Sequence, residues 1–475
     1  MAESTVNADW ENGSRPIEMP DELVRFIQRD TYSLLIKGFA GTGKTTLALT
    51  ILRALGSNNN FFYISTRISP KQLFQYYPWL DKFVDQPKPA NPGEAPDHGV
   101  MPSFEDARLD EPESLFERIT NQLMDIQSPI IIIDSWDAIA SFMDKEARLN
   151  NERVLQTWRE RAKAKLVFIS EHPDDTTLDF LVDGIVELKQ GYHESARVRE
   201  IFMLKLRGVR IDRPSYIYTL DNNVFRSFAP YRPVKFRPEP RNKVAASDGV
   251  ATADHVRSGY PALDSSLGGG FPRKGVVLLE LDSHVNTAVA MAFLERMVSG
   301  FVSAGNPVLF QPFDWMIPSA IMDYLGPSMP AGKKGLFKIL WTGKAGGMAG
   351  NIISPGKKQH SDPCISALAA MKKKHPGKLL LNVMGTDIMQ RSYGQKGVKS
   401  GMENLMSDVR TSADLSIAVI SHSQGDVLEY LSEVSDMHLR LLMINDTLFL
   451  QPLVPASTLY SVVFDGHGIS LEPVV

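Results

Sequence analysis

Between Leu23 and about Phe228 the chain alternates short apolar runs with helical patterns. The runs are SLLIKG (33–38), FFYIS (61–65), PIIIID (129–134), KLVFIS (165–170), GIVELK (184–189), REIFMLKLRG (199–208) and YIYTL (216–220). Apolar strands separated by helices predict βα units on a parallel sheet, and the last runs, close together, predict an antiparallel tail. Four consecutive Ile in PIIIID predict a strand buried on both faces. Residues 85–103, DQPKPANPGEAPDHGVMPS, are rich in Pro and Gly and read as a surface loop. Residues 1–20 read as a mobile arm. Residues 229–255 combine Pro, basic and small residues without apolar periodicity and read as a linker.

Beyond that linker the order of events returns. KLVFISEH (165–172) is echoed by SIAVISHS (416–423), PIIIIDSWDAI (129–139) by KLLLNVMGTDIM (378–389), and SYIYTLDNN (215–223) by LYSVVFDGH (459–467). The near-constant spacing of the echoes predicts a duplicated domain over 256–475 after a first domain over 21–228.

Composition narrows the class. A chain of 475 residues is too long for one core, and 43% hydrophobic with 22% charged residues is the balance of an ordinary globular protein. A net charge of −4 marks neither a general nucleic-acid binder nor a membrane-surface protein. The one cysteine, Cys364, excludes an internal disulfide framework and fits a reducing cytoplasm. The polar, acidic start is unlike a secretory signal, and no apolar run approaches the roughly 20 residues that span a bilayer. A cytoplasmic protein without a membrane partner is expected.

Chemistry enters at LLIKGFAGTGKTTLAL (34–49), an apolar strand, a glycine-rich turn and a helix start. Gly38, Gly43, Lys44 and Thr45 fit the G-x4-G-K-[ST] phosphate-loop pattern. Glycines let successive backbone amides wrap phosphates, and the helix N-terminus adds its positive dipole end. Gly38, Phe39, Ala40, Gly41, Thr42, Gly43, Lys44, Thr45 and Thr46 are therefore the expected ATP-binding residues. Lys44 supplies a cation to the β- and γ-phosphates, and the Thr45 hydroxyl is offered to Mg²⁺. Asp134 ends the Ile strand at the edge where open α/β sheets bind ligands, and is the second expected Mg²⁺ residue. Asp137 reads as a cap or a supporting group.

On these residues, with KLRG before YIYTL and SGYPALDSSLGGGFPRKGVVLL in the second half, the chain resembles the RecA-like ATPases. The branch is that of KaiC, GvpD and the RadA paralogues, found largely in archaea. The resemblance implies an α/β protein of two tandem RecA-like P-loop domains, each a mostly parallel sheet flanked by helices. Lys205 and Arg207 match the KxRG segment, which in KaiC-like domains reaches the neighbouring subunit's γ-phosphate. This implies a homo-oligomer with ATP or ADP bound between subunits. KaiC domains also carry a glutamate pair after their second strand, where Thr66 and Arg67 stand here. That departure implies slow hydrolysis. Glu171, after KLVFIS, reads either as a substitute for those glutamates or as a capping or surface charge.

In the second half the frame stays and the contents go. ELDSHVNT (280–287) lacks glycine and lysine where the phosphate loop would lie, and Asp282 adds negative charge. From the sequence, Met384 or Gly385 aligns with Asp134, Asp387 with Asp137, and FLQP (449–452) with KLRG. The reading is a degenerate repeat without an ATP site. Residues 333–378 hold ten Lys and one Asp, with GKAGGMAGN (343–351) reading as mobile. Such a segment is a solvated surface or recruits an acidic protein, with nucleic acid less favoured. Three functions stay open: a regulatory ATP-binding switch of the GvpD kind, a RadA-paralogue-like DNA-repair accessory, and a structural pseudo-ATPase.

Overall fold

The computed structural model describes residues 19–56, 60–84, 103–108, 110–122, 126–143, 154–155, 157–232, 250–313, 316–341, 350–354, 362–386, 405–421, 425–465 and 468–475. The chain divides into two compact units, Met1–Ala229 with Val474–Val475, and Pro230–Pro473. Most of the expected arm, the 85–103 loop, the linker and the glycine-rich 343–351 stretch lie outside the described residues.

The first unit opens with α1 (Asp21–Ile27) and is built on a nine-stranded sheet in the order β3-β2-β4-β5-β1-β6-β7-β8-β9. Its strands are β1 (Tyr32–Gly38), β2 (Phe61–Ser65), β3 (Ser103–Asp106), β4 (Ile130–Asp134) and β5 (Lys165–Ser170). They continue as β6 (Gly184–His193), β7 (Ala196–Leu206), β8 (Ser215–Thr219) and β9 (Arg226–Ser227). From β3 to β6 neighbours run parallel, and from β6 to β9 antiparallel, as the run spacing predicts.

The Ile strand shows why the sheet is covered twice. Side chains alternate faces along a strand, so Ile130 and Ile132 join one core with Leu47 and Leu52 of α2 (Lys44–Leu55). Ile131 and Ile133 join the opposite core, with Phe116 and Ile119 of a helix at Pro112–Gln122. Each such side chain contributes about 1.5–3 kcal/mol by leaving water. Burial of both faces fixes β4 in the middle of the sheet and so places Asp134 at its carboxyl edge.

The second unit repeats the plan. Its strands are β10 (His255–Val256), β11 (Phe271–Pro272), β12 (Val276–Leu281), β13 (Val308–Phe310), β14 (Phe337–Leu340) and β15 (Ile352–Ile353). Then come β16 (Leu381–Gly385), β17 (Leu415–Ser421), β18 (Met437–Ile444), β19 (Thr447–Val454), β20 (Tyr460–Asp465) and β21 (Gly468–Pro473). The large sheet runs β15-β14-β13-β16-β17-β12-β18-β19-β20-β21, with β10 and β11 paired apart. Here β12 holds the place of β1, β17 of β5, β16 of β4 and β18 of β6, while β15 is an added edge strand. The chain is an α/β protein of two tandem RecA-like domains.

Strand register settles one of the sequence alignments and corrects another. The Val276 carbonyl accepts from the Asp436 amide as the Ser33 carbonyl accepts from that of Asp183. Through Ser416 and Leu166 this sets Asn382 level with Ile131, so Gly385, and not Met384, stands where Asp134 stands. The faces agree: Val383 packs in the core of the helix after β12 as Ile132 packs in that of α2. Val454 pairs with His438 as Lys205 pairs with Ile185, so the stretch from Val454 replaces KLRG, beyond FLQP. Both units bulge at this same place, Ile185/Val186 and His438/Leu439, and the offset comes from a connection between β19 and β20 that is shorter than the one between β7 and β8. Asp387 lies outside the described residues.

The helix Thr287–Ser303 follows β12 and is capped by its own chain: the Asn286 side chain accepts from the Val289 amide at 3.2 Å. Asn286→Ala is expected to lower unfolding stability by about 1 kcal/mol, read by denaturant titration. An unchanged midpoint would show that the cap carries no weight. Cys364 is a core group, its thiol pushed up to about 12, mainly by burial. Among the described residues no helix is long and apolar enough to cross a membrane.

Candidate nucleotide site

At the carboxyl edge of the first sheet, β1 turns through residues 39–43 into α2. Gly41 and Gly43 take left-handed φ of 81° and 92°. A Cβ at Gly43 would lie 2.7 Å from the Leu220 side chain, whereas one at Gly41 would meet open space. Only glycine makes this turn without strain. Gly43 is also the N-cap of α2 and has no side chain to cap it, which leaves the first helical amides to an outside acceptor. The Thr42 hydroxyl closes the turn onto the Phe39 carbonyl at 2.8 Å, while the Phe39 ring is exposed. Ala40 is exposed at the tip, and Thr46 bonds the Tyr77 hydroxyl at 2.9 Å.

Lys44 is buried, and its ammonium donates to the Phe39 carbonyl at 2.9 Å, inside the turn. Burial lowers its pKa, opposed by the negative charges of Glu171 and Asp134. Asp134 accepts from the Thr45 hydroxyl and from the Tyr63 hydroxyl, both at 2.6 Å. Burial pushes the Asp134 carboxyl up, and these two hydrogen bonds pull against it. Thr45 and Asp134 are thus together, as a shared Mg²⁺ site requires. One hydroxyl and one carboxylate beside a phosphate loop fit a magnesium ion that keeps most of its waters. Among the described residues there is no cluster of three or more His, Cys, Asp or Glu that could hold a metal by itself.

Residues 23–207 match the family described as GvpD gas vesicle protein, P-loop domain. The first unit is a KaiC/GvpD-like P-loop domain. Protein GvpD2 of Halobacterium salinarum is 28% identical over 280 residues, 56% of each chain. Protein GvpD1 of the same organism is 30% identical over 283 residues, 55% of this chain and 50% of its own. The circadian clock oscillator protein KaiC of Picosynechococcus sp. is 24% identical over 262 residues, 51% of this chain and 47% of its own. The chain spans about half the length of the curated relatives it matches.

In this GvpD-like domain the other expected residues part company. Glu171 follows β5 on the same edge as the loop, where its amide donates to Asp137 at 2.5 Å and its carboxylate pairs with Arg67 at 2.6 Å. Asp137 also accepts from the Ser170 hydroxyl at 3.0 Å, so it is the support its sequence position implied. Lys205 and Arg207 lie at the other edge. Because β7 runs antiparallel, Lys205 pairs with Ile185, and Ile185 lies level with Leu35, low on β1. The Lys205 ammonium holds the Asp179 carbonyl at 2.7 Å, and Arg207 pairs with Asp183 at 3.3 Å. Burial and the neighbouring Arg207 charge lower the Lys205 pKa. Neither cation faces the phosphate loop of its own chain.

Two supports escaped the sequence reading. Arg199 of β7 is buried and donates to the Gly41 carbonyl at 2.8 Å and to the Gln190 side chain at 3.0 Å. Tyr218 of β8 donates to the Thr42 carbonyl. Both brace the loop from strands more than a hundred residues downstream. The one available signal was an arginine at the head of the mostly apolar strand REIFMLKL.

In the second unit the matching positions are filled from within. Asp282 follows β12 and accepts from the Ser283 amide at 2.7 Å. Asn286 caps the helix, and the Thr386 hydroxyl, fully buried, donates to the Val419 carbonyl at 3.2 Å. A Cβ on Gly385 would lie 2.4 Å from the Pro312 carbonyl, so the backbone after β13 closes directly over the end of β16.

Proposed function

We propose that this chain is a regulatory protein in which the first unit binds ATP with Mg²⁺, and the bound nucleotide controls assembly or the grip on a protein partner. The observation that carries it is the contrast between the two helix starts. Gly43 leaves α2 open to phosphate, whereas Asn286 closes its counterpart with a side chain. The second unit is therefore read as a packing and interaction domain without a nucleotide site.

Lys44 would meet the β- and γ-phosphates, while Thr45 and Asp134 would hold the metal, which neutralises charge between those phosphates. The three carboxylates that act on the Lys44 ammonium are already engaged: Asp134 by Thr45 and Tyr63, Asp137 by Ser170 and the Glu171 amide, Glu171 by Arg67. That supports slow turnover and a signal read by binding. Lys205 and Arg207, at the sheet edge away from their own loop, support a role at a neighbouring chain's nucleotide. A gas vesicle protein and a clock oscillator among the relatives fit regulation better than metabolism.

The test is calorimetric titration of the full chain with ATP and Mg²⁺, followed by sedimentation with no nucleotide, with ADP and with ATP. One nucleotide per chain and an ATP-dependent change in sedimentation are expected. Two nucleotides per chain would overturn the reading of the second unit. Sedimentation indifferent to nucleotide, with salt-sensitive DNA binding, would replace the switch by a nucleic-acid role.

A further inference from the structure

The residue at the missing glutamate position is more than a loss. Thr66 and Arg67 sit on a turn that is clamped on both sides. The Ser65 hydroxyl donates to the Ile68 carbonyl at 2.6 Å, closing the turn. The Thr66 amide donates to the Asp134 carbonyl at 2.7 Å, and its hydroxyl accepts from the Ser135 amide at 2.8 Å. Immediately after, Ser69 and Gln72 form a capping box that fixes the helix Pro70–Tyr76. The Arg67 backbone is thus tied to the strand that carries the metal carboxylate, while its side chain is 49% exposed and able to swing.

Its present partner shows where it reaches. Arg67 follows β2, and Glu171 follows β5, with β4 between them and β1 next beyond β5. The 2.6 Å ion pair therefore spans two strand spacings, roughly 10 Å, and ends beside the strand that feeds the phosphate loop. Arg67, Glu171, Asp134 and Asp137 all act electrostatically on the Lys44 ammonium. Three carboxylates around one lysine repel a triphosphate, and a second protein cation would offset that beyond what the Mg²⁺ neutralises.

Resting on the ATP site argued above, we propose that Arg67 reads the third phosphate from within its own chain, and that the Arg67–Glu171 pair is the latch it leaves on doing so. A partly exposed ion pair holds by a factor of about five at most. A charge-assisted, forked contact from guanidinium to phosphate is worth about ten- to a hundredfold, so the exchange runs toward the phosphate. ADP offers no third phosphate and leaves the latch closed. The exchange also frees the Glu171 carboxylate only in the triphosphate state, which couples nucleotide identity to the local charge of this edge.

The readout is the ratio of dissociation constants for ADP and for a non-hydrolysable ATP analogue, measured with Mg²⁺ on the full chain. In Arg67→Ala that ratio is expected to fall about tenfold or more, and in Arg67→Lys to recover in part, since the charge returns without the fork. Glu171→Gln, which opens the latch without touching Arg67, is expected to raise it by up to about fivefold. A ratio unchanged in Arg67→Ala, or lowered by Glu171→Gln, overturns the proposal. Binding of neither nucleotide by the unaltered chain would instead remove the site itself. Lys44→Ala separates the two, because it weakens both nucleotides together.

Discussion

Lys44→Ala is expected to raise the dissociation constant for ATP by at least about a hundredfold, effectively to no binding, while the chain stays folded. The ammonium lies inside the turn, 2.9 Å from the Phe39 carbonyl, while Arg199 holds the Gly41 carbonyl. A buried cation that contacts two phosphates supplies more than one charge-assisted hydrogen bond, each worth about 1.5–3 kcal/mol, and about 2.7 kcal/mol is already a hundredfold. The fold has little reason to suffer. Lys44 is the first residue of α2 and alanine is the best helix former, while burial already penalises the charged amine. Nucleotide titration beside a thermal melt checks both halves. Normal ATP binding by a folded variant would mean that the nucleotide sits elsewhere.

The parts of this site that the sequence made legible are those whose physics is local. A glycine turn between an apolar strand and a helix is defined within a dozen residues, and the Ile run declares a two-faced strand because nothing polar interrupts it. Asp134 could then be placed on the correct edge from its position alone. Longer-range facts were hidden for stated reasons. The choice between Met384 and Gly385 needed strand pairing, because an apolar strand end carries no polar mark to count from. The offset beyond FLQP arose because β19 and β20 are joined by a shorter connection than β7 and β8, which counting back from the echo at 459–467 does not reveal. Arg199, Tyr218 and the Arg67–Glu171 pair depend on which strands become neighbours, and the order β2-β4-β5-β1 is decided by the packing of the whole sheet. Read one residue at a time, Arg67 counted only as a missing glutamate. Its meaning appears when Glu171 is set beside it.

Asp134→Asn is expected to pull function and stability in opposite directions. The carboxylate is buried between β4, β2 and α2, held by the Thr45 and Tyr63 hydroxyls. Burial raises its pKa, so between the ordinary aspartate range and the raised value the folded chain holds more protons than the unfolded one. Stability from that protonation is therefore present at low pH and is lost as pH rises through the raised value. Above that raised value an empty site carries a charge that its surroundings disfavour, and a cation relieves it. Asparagine keeps an oxygen to accept from Thr45 and Tyr63 but removes the charge. The nucleotide-free variant should melt a few degrees higher, about 1 kcal/mol of added stability. The gain in ATP affinity that Mg²⁺ gives should shrink about tenfold or more, since a charged ligand becomes neutral. Melting curves without ligand and ATP titrations with Mg²⁺ or with a chelator measure the two effects separately. A lower melting point with Mg²⁺ dependence intact would make Asp134 a clamp between strands and move the metal to other oxygens. The expected pairing, a firmer fold with a deafened site, is what a buried charge kept for its ligand produces.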